Sequence, residues 1–166
     1  MSASVTTRSL IADDAALVSA LHARVFGPGR FARTAYRVRE GTPPIARFCR
    51  GAFLGERLIA ALRLTEVTIG GEPGALLLGP LAVDPDFAGE GWGRKLVSES
   101  VGHARADGVP LIVLVGDEPY YARFGFKRVA PGSIVLPGPV DPSRLLAAEL
   151  TVGAAARFGG LLAGRR

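Results

Sequence analysis

Leu81-Ala-Val-Asp-Pro-Asp-Phe-Ala-Gly-Glu-Gly-Trp-Gly-Arg-Lys-Leu96 reads as the end of a buried strand that runs into three closely spaced glycines and at once into a helix. The first peptide N–H groups of a helix have no acceptor within it. A glycine-rich approach lets an anion come close to them. Arg94 and Lys95 add positive charge, so the segment implies a pyrophosphate site. Two common phosphate loops do not fit. A Walker loop requires Gly-Lys followed by Ser or Thr, and here the order is Gly93-Arg94-Lys95. A dinucleotide fingerprint requires a later third glycine and an acid roughly 20 residues on, where this chain has Ile112-Val113-Leu114.

Outward from that turn, the hydrophobic pattern alternates between strand and helix. Upstream, Ala75 to Val83 is almost wholly apolar, as a strand covered on both faces should be. Before it, residues 45–53 and 58–69 read as strands joined by turns at Gly55-Glu56-Arg57 and Gly70 to Gly74, an antiparallel meander. Residues 5–11 supply a first strand. Asp13 and Asp14 open a helix carrying Val18, Leu21 and Val25 at helical spacing with Leu17 beside them, and Gly27-Pro28-Gly29 stops it. Residues 30–40 are read as a second short helix. Downstream, the helix after the glycines reaches about Asp107 with Leu96, Val97, Val101 and Ala104 facing inward. Residues 111–115 are a buried strand. Pro119 suits the first turn of a short helix through Phe124, residues 126–130 and 134–136 are short strands, and residues 144–152 form a last one. This is a mixed α/β layer with helices on both faces of one sheet. Residues 1–152 read as a single domain, and the Ala/Gly-rich residues 153–166 as a tail without a period, expected to fray.

A second segment, Leu114-Val-Gly-Asp-Glu-Pro-Tyr-Tyr-Ala-Arg-Phe-Gly-Phe126, carries Tyr121, Gly125 and Phe126 in the spacing Tyr-x-x-x-Gly-Phe. With Ala88-Gly89-Glu90-Gly91-Trp92-Gly93 before it, the pair resembles motifs A and B of the GNAT superfamily, the Gcn5-related N-acetyltransferases. With Leu78-Gly-Pro-Leu-Ala-Val83 it resembles a YhbS-like bacterial branch. Motif A in that family is Gln/Arg-x-x-Gly-x-Gly/Ala. Gly91 and Gly93 match it, while Ala88 replaces the Gln or Arg and leaves only the backbone cradle, with Arg94 as compensation.

The resemblance implies a mostly antiparallel sheet splayed between strands 4 and 5, with acetyl-CoA as cosubstrate and no metal. It implies that Leu81, Ala82 and Val83 contact the pantetheine arm, that Ala88, Gly89, Glu90, Gly91, Trp92, Gly93 and Arg94 hold the pyrophosphate, and that Tyr121 lies against the cosubstrate as general acid. Many members carry a Glu base on the fourth strand. Residues 75–83 contain no carboxylate, so Glu66, Asp117 or a bound water remain open for that role. The implied reaction is direct acetyl transfer to an amine of a small-molecule or peptide acceptor. A CoA-binding sensor of the same fold is the alternative, and a homodimer is common in the family.

Bulk properties bound the rest. The 166 residues carry a net charge of +5 with Lys only at positions 95 and 127, yet show no dense basic block, so nucleic acid is not the expected partner. The one cysteine, Cys49, and the two histidines, His22 and His103, lack ligand spacing for a metal. No apolar run is long enough to span a bilayer and no signal peptide is read, giving a cytoplasmic expectation.

Overall fold

The computed structural model describes residues 4–27 and 34–165. In chain order the elements are β1 (Val5–Ser9), α1 (Ala15–Phe26), α2 (Thr34–Arg39), β2 (Arg50–Leu54), β3 (Arg57–Ile69), β4 (Glu72–Val83), α3 (Trp92–Ala106), β5 (Leu111–Val115), α4 (Glu118–Tyr121), β6 (Lys127–Arg128), β7 (Ile134–Val135), β8 (Leu145–Glu149) and β9 (Gly160–Gly164). The sheet order is β1-β2-β3-β4-β5-β8-β6, and β9 pairs with both β3 and β7. In the main row every pair is antiparallel except β4–β5. Among the described residues no helix is long and apolar enough to cross a membrane.

Alternation along the strands divides the core. On one face α3 lays Leu96, Val97, Val101 and Ala104 over Ile59, Leu62, Leu64, Ile112 and Leu114. On the other, α1 presents Val18 and Leu21 to Phe53, Leu58, Ala61 and Ala82. Leu17, expected beside them, points to solvent. The strand expected over residues 45–53 is shorter, because residues 45–49 turn and only Arg50 to Leu54 pair. Of the second short helix expected over residues 30–40, Thr34–Arg39 forms α2; residues 30–33 lie outside the described residues, as do Pro28 and Gly29 of the expected helix stop.

The tail expected to fray from Gly153 onward instead contains β9, which continues the row that β2 begins. β3 is 13 residues long, and β2 covers only Arg57 to Leu62. β9 pairs Gly164, Ala163 and Leu162 with Val67, Thr68 and Ile69, so this half of β3 is not left as an unpaired edge. The tail's glycines mark close approach. Gly70, at φ +58°, has no room for a Cβ because Gly159 O occupies the place. Phe158 and Leu162 are buried there against Val67, Ile69, Leu111 and Val113.

One buried charge shapes the approach to the glycine turn. Asp84 follows β4, its own N–H donating to Ile59 O at 2.8 Å. Its Oδ1 accepts from Asp86 N at 2.9 Å and from Arg24 Nη2 at 3.1 Å, and its Oδ2 from Arg57 Nη2 at 2.9 Å. The Asp86 N–H, with Arg57 and Arg24 adding to it, holds the carboxyl below the ordinary carboxylate range against the opposing effect of burial.

Replacing Leu162 by Ala should cost about 2–5 kcal/mol in urea denaturation. A change below about 0.5 kcal/mol, typical of an exposed site, would show that β9 does not pack. Because the folded carboxyl of Asp84 titrates lower than the unfolded one, its stabilisation is present above about pH 4 and is lost as pH falls through the folded value. Denaturation at pH 7 and pH 3 should show a fall in stability that is smaller in Asp84→Asn than in the parent.

Candidate active site

The site grows from a parting of strands. β4 and β5 pair only at Leu76 with Ile112 and at Leu77 with Val113. Beyond these, β4 runs on to Val83 with β3 on one side and, among the described residues, no strand on the other. The parting coincides with a bulge: Leu78 opposes Leu64 and Leu81 opposes Leu62, so Gly79 and Pro80 together face the single residue Arg63. Proline contributes no N–H to a ladder, which suits a strand leaving its partner.

A cleft of about 760 Å³ fills the gap. Leu78 to Leu81 and Val83 line one wall, Val115 to Asp117 with Tyr120 and Tyr121 line the other, and the far end is closed by His22, Tyr36, Arg39 and Arg63 on one side and by residues 139–141 and Arg144 on the other. Thr34 Oγ1 donates to Pro139 O at 2.7 Å, tying α2 to the loop before β8 across that end.

The glycine turn adjoins the cleft without lining it. Gly91 caps α3 in the left-handed region at φ 89°, and Lys95 N donates to Gly91 O at 3.1 Å. The three N–H groups before it, on Trp92, Gly93 and Arg94, have no acceptor within the helix. A Cβ added at Gly89 or Gly91 would meet nothing within 4 Å. The backbone of the turn is therefore uncrowded at Gly89 and Gly91 among the described residues, which suits the close approach of a phosphate. Gly93 answers a different need. Its Cβ position lies 3.1 Å from Tyr120 Oη, 3.2 Å from Leu81 Cδ2 and 3.5 Å from Val83 Cγ2, all on residues of the cleft walls. Glycine there lets the helix start sit directly on the mouth of the slot. Ala88 and Arg94 are exposed on the same turn, and Trp92 is half-buried, with Nε1 donating to Glu90 Oε1 at 3.2 Å.

Tyr121 is held by its surroundings. Gly116 leaves room for the ring, since a Cβ there would lie 2.7 Å from Tyr121 Cε2. Tyr120 and Phe126 meet it edge-on at ring-centre distances of 4.8 and 5.9 Å. Burial, helped by Tyr120 and Asp117 and opposed by Arg144, pushes its phenol up to about 12. Tyr120 is also raised, chiefly by burial, with Arg94 and Arg123 opposing.

The two candidate bases separate. Asp117 lines the cleft, exposed, with Oδ1 accepting from Arg144 Nη1 at 2.9 Å. Glu66 does not reach it. It shares the face of Leu62 and Leu64 as strand alternation requires, but it opposes Leu76, where β4 is still paired to β5. It lies over the closed part of the sheet, where Arg47 bridges it at 3.4 Å to Asp107 at 2.8 Å. Ala82 is fully buried against the α1 face, so only its backbone faces the opening, while Leu81 and Val83 line it. Cys49 is a core residue, exchanging contacts with Leu64 N and O at 3.3 and 3.4 Å.

Tyr36, His22, Arg39 and Arg144 were not singled out by sequence reasoning. They come from α1, from α2, which carries both Tyr36 and Arg39, and from the turn before β8, and these segments meet only through the fold. For Arg63 the one signal in the sequence is a charge set between Leu62 and Leu64 in a largely apolar run of β3.

Comparison with known proteins agrees with this geometry. Residues 6–129 match the profile of the acetyltransferase (GNAT) domain. The chain is 32% identical over 77 residues to the uncharacterized N-acetyltransferase YjhQ of Escherichia coli K12, and 40% identical over 53 residues to the uncharacterized N-acetyltransferase YhbS of the same organism. These alignments cover 45% and 32% of this chain and only 42% and 32% of the curated relatives, less than half of their length. Among solved structures, YhbS from Escherichia coli in complex with CoA superimposes with a TM-score of 0.81 at 27% identity, covering 99% of this chain and 92% of that one. A GNAT acetyltransferase from Brucella melitensis in complex with acetyl-CoA gives 0.61 at 27% identity, covering 91% and 97%. With the profile match extending from β1 to the end of motif B, the chain belongs to the GNAT family of acetyltransferases, on its YhbS-like branch.

Proposed function

We propose that the protein is an acetyl-CoA-dependent N-acetyltransferase that transfers the acetyl group directly to an amine. The observation that carries this reading is the unpaired edge of β4 beyond Leu77, ending beside the open N–H groups of α3. An extended arm can pair along that edge while its diphosphate settles on the helix start. The two neighbours crystallised with CoA or acetyl-CoA support the same assignment.

Acetyl-CoA supplies an activated thioester. The chain's own residues bind, orient and handle protons. The backbone of Leu81, Ala82 and Val83 orients the arm, and the turn from Ala88 to Arg94 receives the phosphates. Tyr121 keeps its proton across the working pH range and donates it towards the departing sulfur, forming S–H as the carbon–sulfur bond breaks. Asp117, at the solvent-facing mouth, is the carboxylate placed to take the proton that the amine gives up, directly or through solvent.

Acetyl-CoA at 100 times its Kd should raise Tm by about 5–10 °C. Gly91→Glu, which puts a bulky anion where φ is 89° and the phosphates would lie, should remove that shift. No shift for the parent protein at millimolar acetyl-CoA would overturn the assignment. In a thiol-release assay over an amine panel, Tyr121→Phe should lower kcat by about 10²–10⁴ with little change in acetyl-CoA affinity. Because the phenol titrates near 12, the parent should show no alkaline loss of kcat from this group below about pH 10. Tight binding with no release above background would identify a sensor instead.

A further inference from the structure

Eight described arginines, at positions 8, 24, 47, 50, 57, 128, 144 and 157, lie within ion-pair distance of an acid. Arg63 does not, among the described residues, although it is half-buried and lines the cleft. Its Nη2 donates to Thr42 Oγ1 at 2.9 Å and Pro43 O at 3.1 Å, and its Nε is buried with no acceptor. Those contacts aim the guanidinium without neutralising it. Burial acts against its charged form, opposed by Cys49 and Tyr36 rather than by a carboxylate. Holding a cation in such a place without a counter-charge is unfavourable, and an anionic ligand would offset that.

The cleft around it has a polarity. Arg63 stands on β3 and Asp117 just beyond β5, on the two sides of the β4 opening where the thioester would sit. Arg39, also buried, lines the Arg63 end, and its Nη2 lies 3.2 Å from the Cβ position of Gly79. At the other wall stand two carboxylates, Asp117 and Asp141, and one cation, Arg144, which donates to Asp117 Oδ1 at 2.9 Å. With one more acid than base, that wall favours an amine over a second anionic group. A molecule with an amine at one end and a single carboxylate at the other matches both.

From this arrangement we infer that the acceptor is an amino carboxylate, a free amino acid or a close relative, whose carboxylate is bound by Arg63 while its amine faces the thioester. The inference rests on the acetyltransferase reading above and specifies its substrate class. Arg63 acts as a specificity residue through a charge-assisted pair from Nη1 to the carboxylate, its Nη2 being held by Thr42 and Pro43.

The test uses the full chain and two readouts. In the thiol-release assay, proteinogenic amino acids are compared with their carboxamides, and O-phosphoethanolamine with ethanolamine. The best amino acid should exceed its carboxamide by about 10–100-fold in kcat/KM. Arg63→Met should bring that ratio to within about threefold of one, and Arg63→Lys should restore part of it. In the second readout, the same compounds are titrated into the CoA complex by calorimetry, which needs no turnover. The amino acid should bind to the parent and not to Arg63→Met, whose retained acetyl-CoA shift reports that it folds. If thiol release is absent but this binding pattern holds, the catalytic reading fails and the carboxylate site stands. Equal handling of acid and carboxamide, a preference for the phosphate monoester, or no amino carboxylate binding to the CoA complex would each overturn the inference.

Discussion

Two parallel strands that share only two residue pairs cannot hold each other beyond them. Past Leu77 and Val113, β4 keeps its registry with β3 and gives up a partner on the other side. Buried backbone groups seldom go without hydrogen bonds, so an unpaired half-strand inside a sheet calls for something to pair with. The positions of the other site elements follow from that gap. α3 starts at its mouth because Gly93 is small enough to sit on Leu81 and Val83. Tyr121 enters from the β5 side because Gly116 leaves room for its ring. Arg63 faces the place where β4 bulges away.

The electrostatics follow the same geometry. Asp84 draws Arg24 of α1 and Arg57 of β3 onto the turn that leaves β4, so the approach to the glycines is fixed from both the helix and the strand. Beyond this tie lie the first N–H groups of α3 and the exposed Arg94, while the cleft behind them carries Arg39 and Arg63 at its β3 end and Asp117, paired to Arg144, with Asp141 at its β5 rim. In the proposed reaction a phosphate would thus be met outside the cleft, leaving the charge inside it to sort the acceptor.

Much of the sheet was legible because its strands are locally marked. Leu111 to Val115 is apolar throughout and bounded by Pro110 and Gly116, and the observed strand has the limits that its pattern suggests. The glycine turn was legible for the same reason, since helix-start chemistry is written in consecutive residues. What escaped depends on contacts between distant segments. β9 reads as a featureless Ala/Gly tail because its glycines answer to Gly70 and α2 rather than to their neighbours. Glu66 was placed on the correct face, yet its usefulness depended on how far β5 follows β4, which no residue of β3 encodes. Arg63 carried a signal, a charge among leucines, whose meaning required Thr42 and Pro43 to be brought beside it.

The half-open β4 has a consequence for handling the protein as well as for its chemistry. An interior strand with a bare flank offers docking positions to any extended peptide, including a segment of another copy. Whatever occupies the slot also acts as a plug. If the slot takes the thioester arm as proposed, that arm and a second chain would compete for one flank, and the first would shield it from the second.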